Sequence, residues 1–146
     1  MANVTIPLKL IDSEIEPPQA QNRGDAGYDL HSSENCKIEP GQRVLVSTGI
    51  ALAIPEGYAG FVQPRSGLAV KSGITALNSP GLIDSGYRDE IKVILINHDP
   101  METFVINKGD RIAQLVIQKY ETVDWDIVTD LEDSERGTGG FGSTGV

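Results

Sequence analysis

Residues 78–96 read Asn78-Ser79-Pro80-Gly81-Leu82-Ile83-Asp84-Ser85-Gly86-Tyr87-Arg88-Asp89-Glu90-Ile91-Lys92-Val93-Ile94-Leu95-Ile96. Asn78 and the pair Pro80-Gly81 supply turn chemistry, and Ser85-Gly86 places a second tight turn just after Asp84. The apolar run 91–96 that follows predicts a largely buried strand. This stretch therefore predicts a hairpin that leads into a core strand, and it favours a β fold.

Asp84 is a lone carboxylate at the end of the apolar pair Leu82-Ile83. One interpretation is a turn aspartate that bonds its own backbone. The other is a carboxylate partly shielded from water and placed to accept a proton. The residue alone leaves both interpretations open.

Short apolar segments separated by turns fill most of the chain, because 16 Gly and 8 Pro residues are scattered through it. The segment 66–73 predicts the one helix, with Ser66 as N-cap and Gly73 as C-cap. Many short strands at close spacing predict an all-β jelly-roll-type barrel or sandwich over residues 1–133. Strands rich in Val, Ile, Leu and Tyr are predicted at 4–11 (an edge strand interrupted by Pro7), 27–31, 43–48, 50–54, 60–63, 74–77, 91–97, 103–106, 111–120 and 122–128.

The charge balance restricts the partners of this chain of 146 residues. Its 12 Lys and Arg against 21 Asp and Glu give a formal net charge of −9, which argues against nucleic-acid or anionic-membrane binding. A small phosphate-bearing substrate would need locally placed Arg and a divalent cation. Cys36 is the single cysteine, so no intrachain disulfide forms and a reducing compartment is expected. The first residues show no signal-peptide pattern, and no run is long enough to span a bilayer. We expect a cytoplasmic protein.

Three further motifs carry polar side chains of chemical interest. Asp25-Ala26-Gly27-Tyr28-Asp29-Leu30 places Asp29 at a strand, where a turn carboxylate is the alternative. Pro64-Arg65-Ser66-Gly67-Leu68-Ala69 places an Arg, a hydroxyl and unpaired amides at a helix start, which suits an anion or an ordinary cap. Gly109-Asp110-Arg111-Ile112-Ala113-Gln114-Leu115-Val116 predicts Gln114 on the strand face of Ile112 and Val116, where its amide requires a backbone or ligand partner.

The chain ends in a Gly-rich segment, Arg136-Gly137-Thr138-Gly139-Gly140-Phe141-Gly142-Ser143-Thr144-Gly145. Its composition is typical of a disordered tail. It also contains the parts of a phosphate clamp with a stacking lid: one Arg, one aromatic ring and a backbone able to turn its amides inward. We predict that residues 134–146 form a flexible arm and not a second domain.

These five stretches, in this order, closely resemble the five motifs of the homotrimeric dUTP pyrophosphatase (dUTPase) family, from about residue 25 to residue 145. The resemblance implies a β jelly roll that assembles as a trimer with active sites at subunit interfaces. It implies hydrolysis of dUTP between the α- and β-phosphates, giving dUMP and pyrophosphate. It also implies that Mg²⁺ is carried on the triphosphate. The reaction would supply dUMP for thymidylate synthesis and keep uracil out of DNA.

The same resemblance implies roles for single residues. Asp84 corresponds to the carboxylate that orients and deprotonates the attacking water, and Tyr87 to the ring that leaves no space for a 2′-hydroxyl. Asp29 corresponds to the carboxylate that supports Mg²⁺ through bound water. The uracil and sugar would be held by Asn78, Leu82, Ile83 and Lys92, the phosphates by Arg65, Ser66, Gly67 and Gln114, and the closing arm would contribute Arg136, Phe141 and Gly142.

Two other readings compete with this one. The related dCTP deaminases carry a catalytic Glu at the position that aligns with Ile94 here, and an isoleucine cannot move protons. A nucleotide-binding regulator whose arm closes on dUTP is the second alternative. Tight dUTP binding without turnover would distinguish such a regulator from an enzyme.

Overall fold

Ten strands and one helix, α1 (Ser66–Ser72), make up the fold in this computed structural model, which describes residues 3–145. One sheet has the order β1 (Leu8–Leu10), β4 (Arg43–Leu52), β8 (Glu90–Asn97) and β6 (Ile74–Ala76). The second has the order β2 (Tyr28–His31), β10 (Arg111–Lys119), β5 (Tyr58–Gln63) and β7 (Gly81–Ile83). A small third sheet pairs β3 (Cys36–Ile38) with β9 (Phe104–Ile106). All these pairings are antiparallel, and the jelly-roll-type prediction is confirmed.

Strand β8 shows how the sequence pattern produces the core. Its alternate residues Ile91, Val93, Leu95 and Asn97 are buried, while those between them are partly or fully exposed, as the period of two in a strand requires. Ile91, Val93 and Leu95 join one cluster of aliphatic side chains from both large sheets, including Leu30, Val46 and Ile112. The core therefore lies between the two large sheets and holds them face to face.

Several strand boundaries differ from the prediction. Of the predicted strand 4–11, only residues 8–10 form a strand, β1, in register with β4. The two strands predicted at 43–48 and 50–54 are one strand, β4, interrupted by a register shift around Gly49, whose φ is +73°. A β-bulge of this kind bends a strand without ending it. The three-residue strand β3 was not predicted, and the segment of β7 was predicted only as one side of the hairpin around Asp84.

The strand predicted at 122–128 is wrong for the single chain. Residues 121–128 form no strand, and Trp125 and Ile127 are almost fully exposed. The apolar alternation is present, but a strand also needs a neighbour to accept and donate its backbone hydrogen bonds. No described part of this chain supplies that neighbour.

Helix α1 begins one residue earlier than predicted. Arg65, in an extended conformation, is the N-cap and makes no side-chain capping bond, so Ser66 is the first helical residue and not the cap. Gly73 ends the helix in the left-handed conformation, as predicted, and its N–H donates to Ala69 O. Within residues 3–145, no helix has the length and apolar character needed to cross a membrane.

Candidate active site

A cleft of about 550 Å³ opens on the second sheet. Its floor is a row across three strands, because Gln114 on β10 pairs with Asp29 on β2 and with Gln63 on β5. Arg65, Ser66 and Gly67 form one wall where β5 leads into helix α1. The predicted phosphate residues and Asp29 are therefore brought together in one place.

Asp29 is the charged centre of this cleft. It is only 7% exposed, and its Oδ1 lies 3.5 Å from Arg65 Nε. Its Oδ2 accepts hydrogen bonds from Arg111 Nη1 at 3.3 Å and from Gln21 Nε2 at 2.9 Å. A carboxylate taken out of water needs such partners. Asp29 therefore holds Arg65 beside the cleft, and the guanidinium keeps further N–H donors for an anion.

Gln114 is fixed by the backbone and by a neighbouring glycine. Its Nε2 donates to Pro64 O at 3.0 Å, so the polar partner that the sequence required is a backbone carbonyl. A Cβ on Gly27 would lie 2.2 Å from Gln114 Oε1, so only a glycine leaves room for the amide in this position. The side chain thus presents its oxygen side toward β2 while its nitrogen is bound to the start of α1.

The strand face of Gln114 differs from the prediction. A register shift between Arg111 and Ala113 turns both Ile112 and Ala113 into the core, where they are 1% and 0% exposed. Gln114 and Val116 line the cleft together, but Ile112 does not share their face. The bulge could not be read from the strict alternation that the sequence shows.

The Asp84 turn lies elsewhere on the molecule. Tyr87 N–H donates to Asp84 O at 3.1 Å and closes a turn. The strands on either side do not form the predicted hairpin, because β7 pairs with β5 while β8 pairs with β4 and β6. The turn therefore connects the two large sheets. Asp84 is exposed in this chain, so the expected shielding from water is absent here, and its carboxylate bonds to no other residue within 3–145.

The remaining predicted nucleoside residues surround this turn. Leu82 is 59% exposed and Ile83 only 8%, so Ile83 can offer a ligand its backbone but not its side chain. The Asn78 side chain lies beside Gly81, with its Nδ2 3.5 Å from where a Cβ on that glycine would be. Lys92 projects from the exposed face of β8 and lies 3.9 Å from Glu90. These residues share the surface around β7 and the start of β8.

The turn and the cleft are at opposite ends of β5. Ile83 pairs with Gly60, so Asp84 lies just past that residue toward the start of β5. Arg65 lies five residues further along the extended chain, which at the rise of a β-strand is about 16 Å away. None of the turn residues lines the cleft. Within one chain, the Asp84 turn therefore does not open onto the cleft that contains Arg65, Ser66 and Gln114.

Comparison with known proteins accounts for this combination of residues. The family model described as dUTPase matches residues 13–145. The chain belongs to the dUTPase family. A deoxyuridine 5′-triphosphate nucleotidohydrolase of Corynebacterium glutamicum is 54% identical over 92% of this chain and 91% of its own length.

Solved dUTPase structures share the fold. The dUTPase of Staphylococcus bacteriophage 80alpha, solved with dUpNHpp, superposes with a TM-score of 0.91 at 32% identity, over 99% of this chain and 100% of the phage chain. A variant of the dUTPase from phage phi11 of S. aureus, described as coordinating a structural Mg(II) ion, gives a TM-score of 0.82 at 28% identity, over 89% of this chain and 100% of that one.

The Gly-rich C-terminal segment of this dUTPase is mostly exposed and makes local hydrogen bonds. Arg136 Nε donates to Gly139 O at 2.8 Å, and Phe141 is fully exposed. Phe141 also has a φ of +51°, an uncommon conformation for a bulky residue that costs about 1–3 kcal/mol. Gly142 follows with a φ of +81°. The described part of the arm, residues 134–145, forms successive turns and no strand or helix; Val146 lies outside the described residues.

The cleft fits a metal carried by a ligand better than a metal held by the protein. Within residues 3–145, no group of three or more His, Cys, Asp and Glu side chains is placed to hold an ion. Asp29 and Asp25 both contribute to the cleft, and Asp29 retains little exposure. Mg²⁺ usually keeps several waters and binds through one or two carboxylates plus substrate phosphates. The donors present suit that mode, in which Asp29 would act through water.

Two residues that contact Asp29 were missed by sequence reasoning. Arg111 begins β10 inside a motif that was already singled out, but its contact with Asp29 depends on the register of β2 and β10. An Arg directly before an apolar strand was the available signal. Gln21 reaches Asp29 from the polar loop before β2, and nothing in that loop distinguishes it from its polar neighbours.

Proposed function

We propose that this dUTPase hydrolyses dUTP to dUMP and pyrophosphate by attack of water between the α- and β-phosphates, with Asp84 as general base. Membership of the family, and identities near 50% to deoxyuridine triphosphate nucleotidohydrolases along almost the whole chain, support dUTP as the substrate. They also argue against deamination of dCTP. Ile94, at the position where deaminases carry their catalytic Glu, has no group that transfers protons.

Asp84 suits the role of base because its carboxylate is free. It bonds to no other described residue, and the turn that carries it is closed by the backbone. A base must lie within hydrogen-bond reach of the water that it deprotonates. Asp84 would then accept the proton of a water aligned with the α-phosphorus, while the leaving pyrophosphate departs on the opposite side.

The cleft would bind the triphosphate. Arg65 supplies guanidinium donors, Ser66 and Gly67 supply a hydroxyl and backbone amides, and Gln114 supplies a fixed amide. Phosphoryl transfer depends chiefly on positioning and on charge stabilisation, so this set of donors can carry most of the work. Mg²⁺ bound to the phosphate oxygens would supply the positive charge that a −9 chain lacks overall.

The nucleoside would lie against the Asp84 turn. Its backbone carbonyls and amides can pair with the uracil edge, and a cytosine would leave buried polar groups unpaired. Tyr87 is held by a hydrogen bond from its hydroxyl to Glu90 O at 2.9 Å, so its ring has a fixed position. A ring fixed beneath the deoxyribose would exclude a 2′-hydroxyl sterically.

The placement of the Asp84 turn and the cleft at opposite ends of β5, about 16 Å apart at the rise of a strand, carries the trimer proposal. Because one chain cannot apply Asp84 and its own cleft to the same phosphate, we infer that the turn of one copy faces the cleft of another. Exposed apolar side chains support contact between copies: Leu45 is 55% exposed and lies opposite Ile94 on the outer face of the first sheet. A closed ring of three chains gives three equivalent sites. The arm, residues 134–146, would close over a site so formed, with Arg136 on the γ-phosphate and Phe141 on the uracil.

Pyrophosphate release across dUTP, UTP, dTTP and dCTP with Mg²⁺ tests this function. Of these four nucleotides, only dUTP should yield pyrophosphate at an appreciable rate with the wild-type protein. Asp84→Asn should lower kcat about a thousandfold, the scale of a lost general base, while equilibrium binding of dUTP persists. Near-normal turnover by this variant would show that another group activates the water. Tight dUTP binding without turnover by the wild-type protein would favour a regulator.

A further inference from the structure

The β4 bulge is closed by two side chains in place of ladder bonds. Between Ser47 and Ala51 the strand loses its register with β8. There the Thr48 hydroxyl donates to Ile91 O at 2.5 Å, and the Gly49 N–H donates to Glu90 Oε1 at 2.9 Å. Each side chain satisfies a backbone group that the bulge would otherwise leave unpaired.

The bulge is fixed in space by its surroundings. Gly49 O accepts N–H groups from Ile11 and Asp12 at 2.8 and 3.1 Å. A Cβ on Gly49 would lie about 3.0–3.1 Å from side chains of Asp12, Ile15 and Ser33. The backbone at this point is therefore packed on several sides, and a group bonded to it is held to a rigid part of the barrel.

Glu90 connects this rigid point to the Asp84 turn. Its side chain is 17% exposed and accepts the Gly49 N–H, while its own carbonyl oxygen accepts the Tyr87 hydroxyl at 2.9 Å. Its contact with Lys92, at 3.9 Å and with a half-exposed partner, is of the kind that contributes little. The hydrogen bond to the bulge is thus the main constraint that the Glu90 side chain provides.

We propose that Glu90 is a positioning residue for discrimination between deoxyribose and ribose. The proposal rests on the assignment of Tyr87 as the ring that reads the sugar. The carboxylate fixes the peptide of residue 90 to the β4 bulge, and that peptide fixes the far end of the Tyr87 ring. Exclusion of a single hydroxyl depends on the ring staying within a fraction of an ångström of its place, because steric rejection disappears once the ring can retreat.

The test compares the ratio of kcat/KM for dUTP to that for UTP in five variants. Glu90→Ala and Glu90→Met remove the acceptor, and both should lower the ratio about tenfold, since a misplacement near 1 Å can cost up to about a hundredfold. Glu90→Gln keeps an oxygen acceptor and should retain the wild-type ratio. Thr48→Val removes the neighbouring bond of the same bulge and should lower the thermal midpoint without changing the ratio. Tyr87→Ala is the reference for loss of sugar reading.

The outcomes distinguish failure of the Tyr87 assignment from failure of the role proposed for Glu90. If Tyr87→Ala leaves the ratio unchanged, the sugar assignment is wrong and the role of Glu90 falls with it. If Tyr87→Ala lowers the ratio but the Glu90 variants do not, the assignment holds and only the role of Glu90 is refuted. An equal fall in Thr48→Val would also refute it, because the effect would then belong to the bulge in general. The Met variant keeps the bulk of the side chain, so it gives the result even if the Ala variant does not fold.

Discussion

Gly27→Ala should impair catalysis without impairing the fold. The added Cβ would lie 2.2 Å from Gln114 Oε1, whereas an ordinary contact begins at about 3.4 Å. The amide must therefore retreat by roughly 3.4 − 2.2 = 1.2 Å. Its hydrogen bond to Pro64 O is 3.0 Å long, so a movement of this size breaks it unless the side chain finds another rotamer.

The magnitude follows from these distances. One broken hydrogen bond costs about 0.5–1.5 kcal/mol of stability, and a flexible side chain can move aside, so the thermal midpoint should fall by only a few degrees, roughly the shift expected for 1 kcal/mol. Catalysis is more sensitive, because a misplacement near 1 Å can cost about a hundredfold. We expect kcat/KM for dUTP to fall between about ten- and a hundredfold.

A double-mutant cycle with Gln114→Ala tests whether the added methyl group at residue 27 acts by displacing Gln114. Pyrophosphate release with Mg²⁺ is measured for the wild type, the two single variants and the double variant. If the Gly27 methyl acts by displacing Gln114, the double variant should be no worse than Gln114→Ala alone, since the displaced group is already gone. Additive losses would mean that the methyl group meets the substrate directly. A Gly27→Ala variant with wild-type kcat/KM would show that the Gln114 amide does not need its present position.

Two further predictions concern the shared site and acid stability. Asp84→Asn chains and chains truncated before Arg136 should each be inactive when refolded separately. When the two are co-refolded in equal amounts and copies mix at random, roughly one site in four should be active. If mixed trimers are confirmed by mass but release no more pyrophosphate than the separately refolded proteins, sites that combine chains are rejected. The N–H groups of Met101 and Glu102 donate to Asp99 Oδ1 at 2.9 and 2.8 Å and hold the pKa of this carboxyl below its ordinary value of 3.8. The ionised carboxylate therefore stabilises the fold above pH 3.8, and this stabilisation is lost as the pH falls through the folded-state pKa. The thermal unfolding midpoint of Asp99→Asn should therefore fall less steeply than that of the wild type as the pH is lowered from about 5 to 3. Identical slopes of midpoint against pH would contradict this.

The sequence pattern predicted an element correctly where the same chain supplies that element's packing and hydrogen-bonding partners. The alternation in β8 identifies its buried face because the core lies on one side of the strand. The same alternation around Trp125 gave a strand that the single chain does not form, since its hydrogen-bonding partner is absent from the described part of the chain. Pattern reports which side chains would be buried, but pairing determines whether a strand exists.

The site was predictable to the extent that its residues are neighbours in sequence. The motif around Arg65 placed a set of donors together because they are consecutive, and the structure brings Asp29 and Gln114 to the same cleft. Contacts that depend on register were not predictable: Arg111 reaches Asp29 only because of the β10 bulge and its pairing with β2. The hairpin prediction at Asp84 was wrong for the same reason, since both flanking segments are strands but each chooses a different partner.

That choice of partners makes the Asp84 turn a mechanical link between two layers. One end is attached to the second sheet at Ile83 and the other to the first sheet at Glu90, and the aliphatic core between the layers sets their spacing. Any substitution that lets one layer slide over the other would carry Asp84, the proposed base, with it, even if no residue of the proposed site were altered. We therefore expect core substitutions in this barrel to lower activity through misalignment as well as through lost stability.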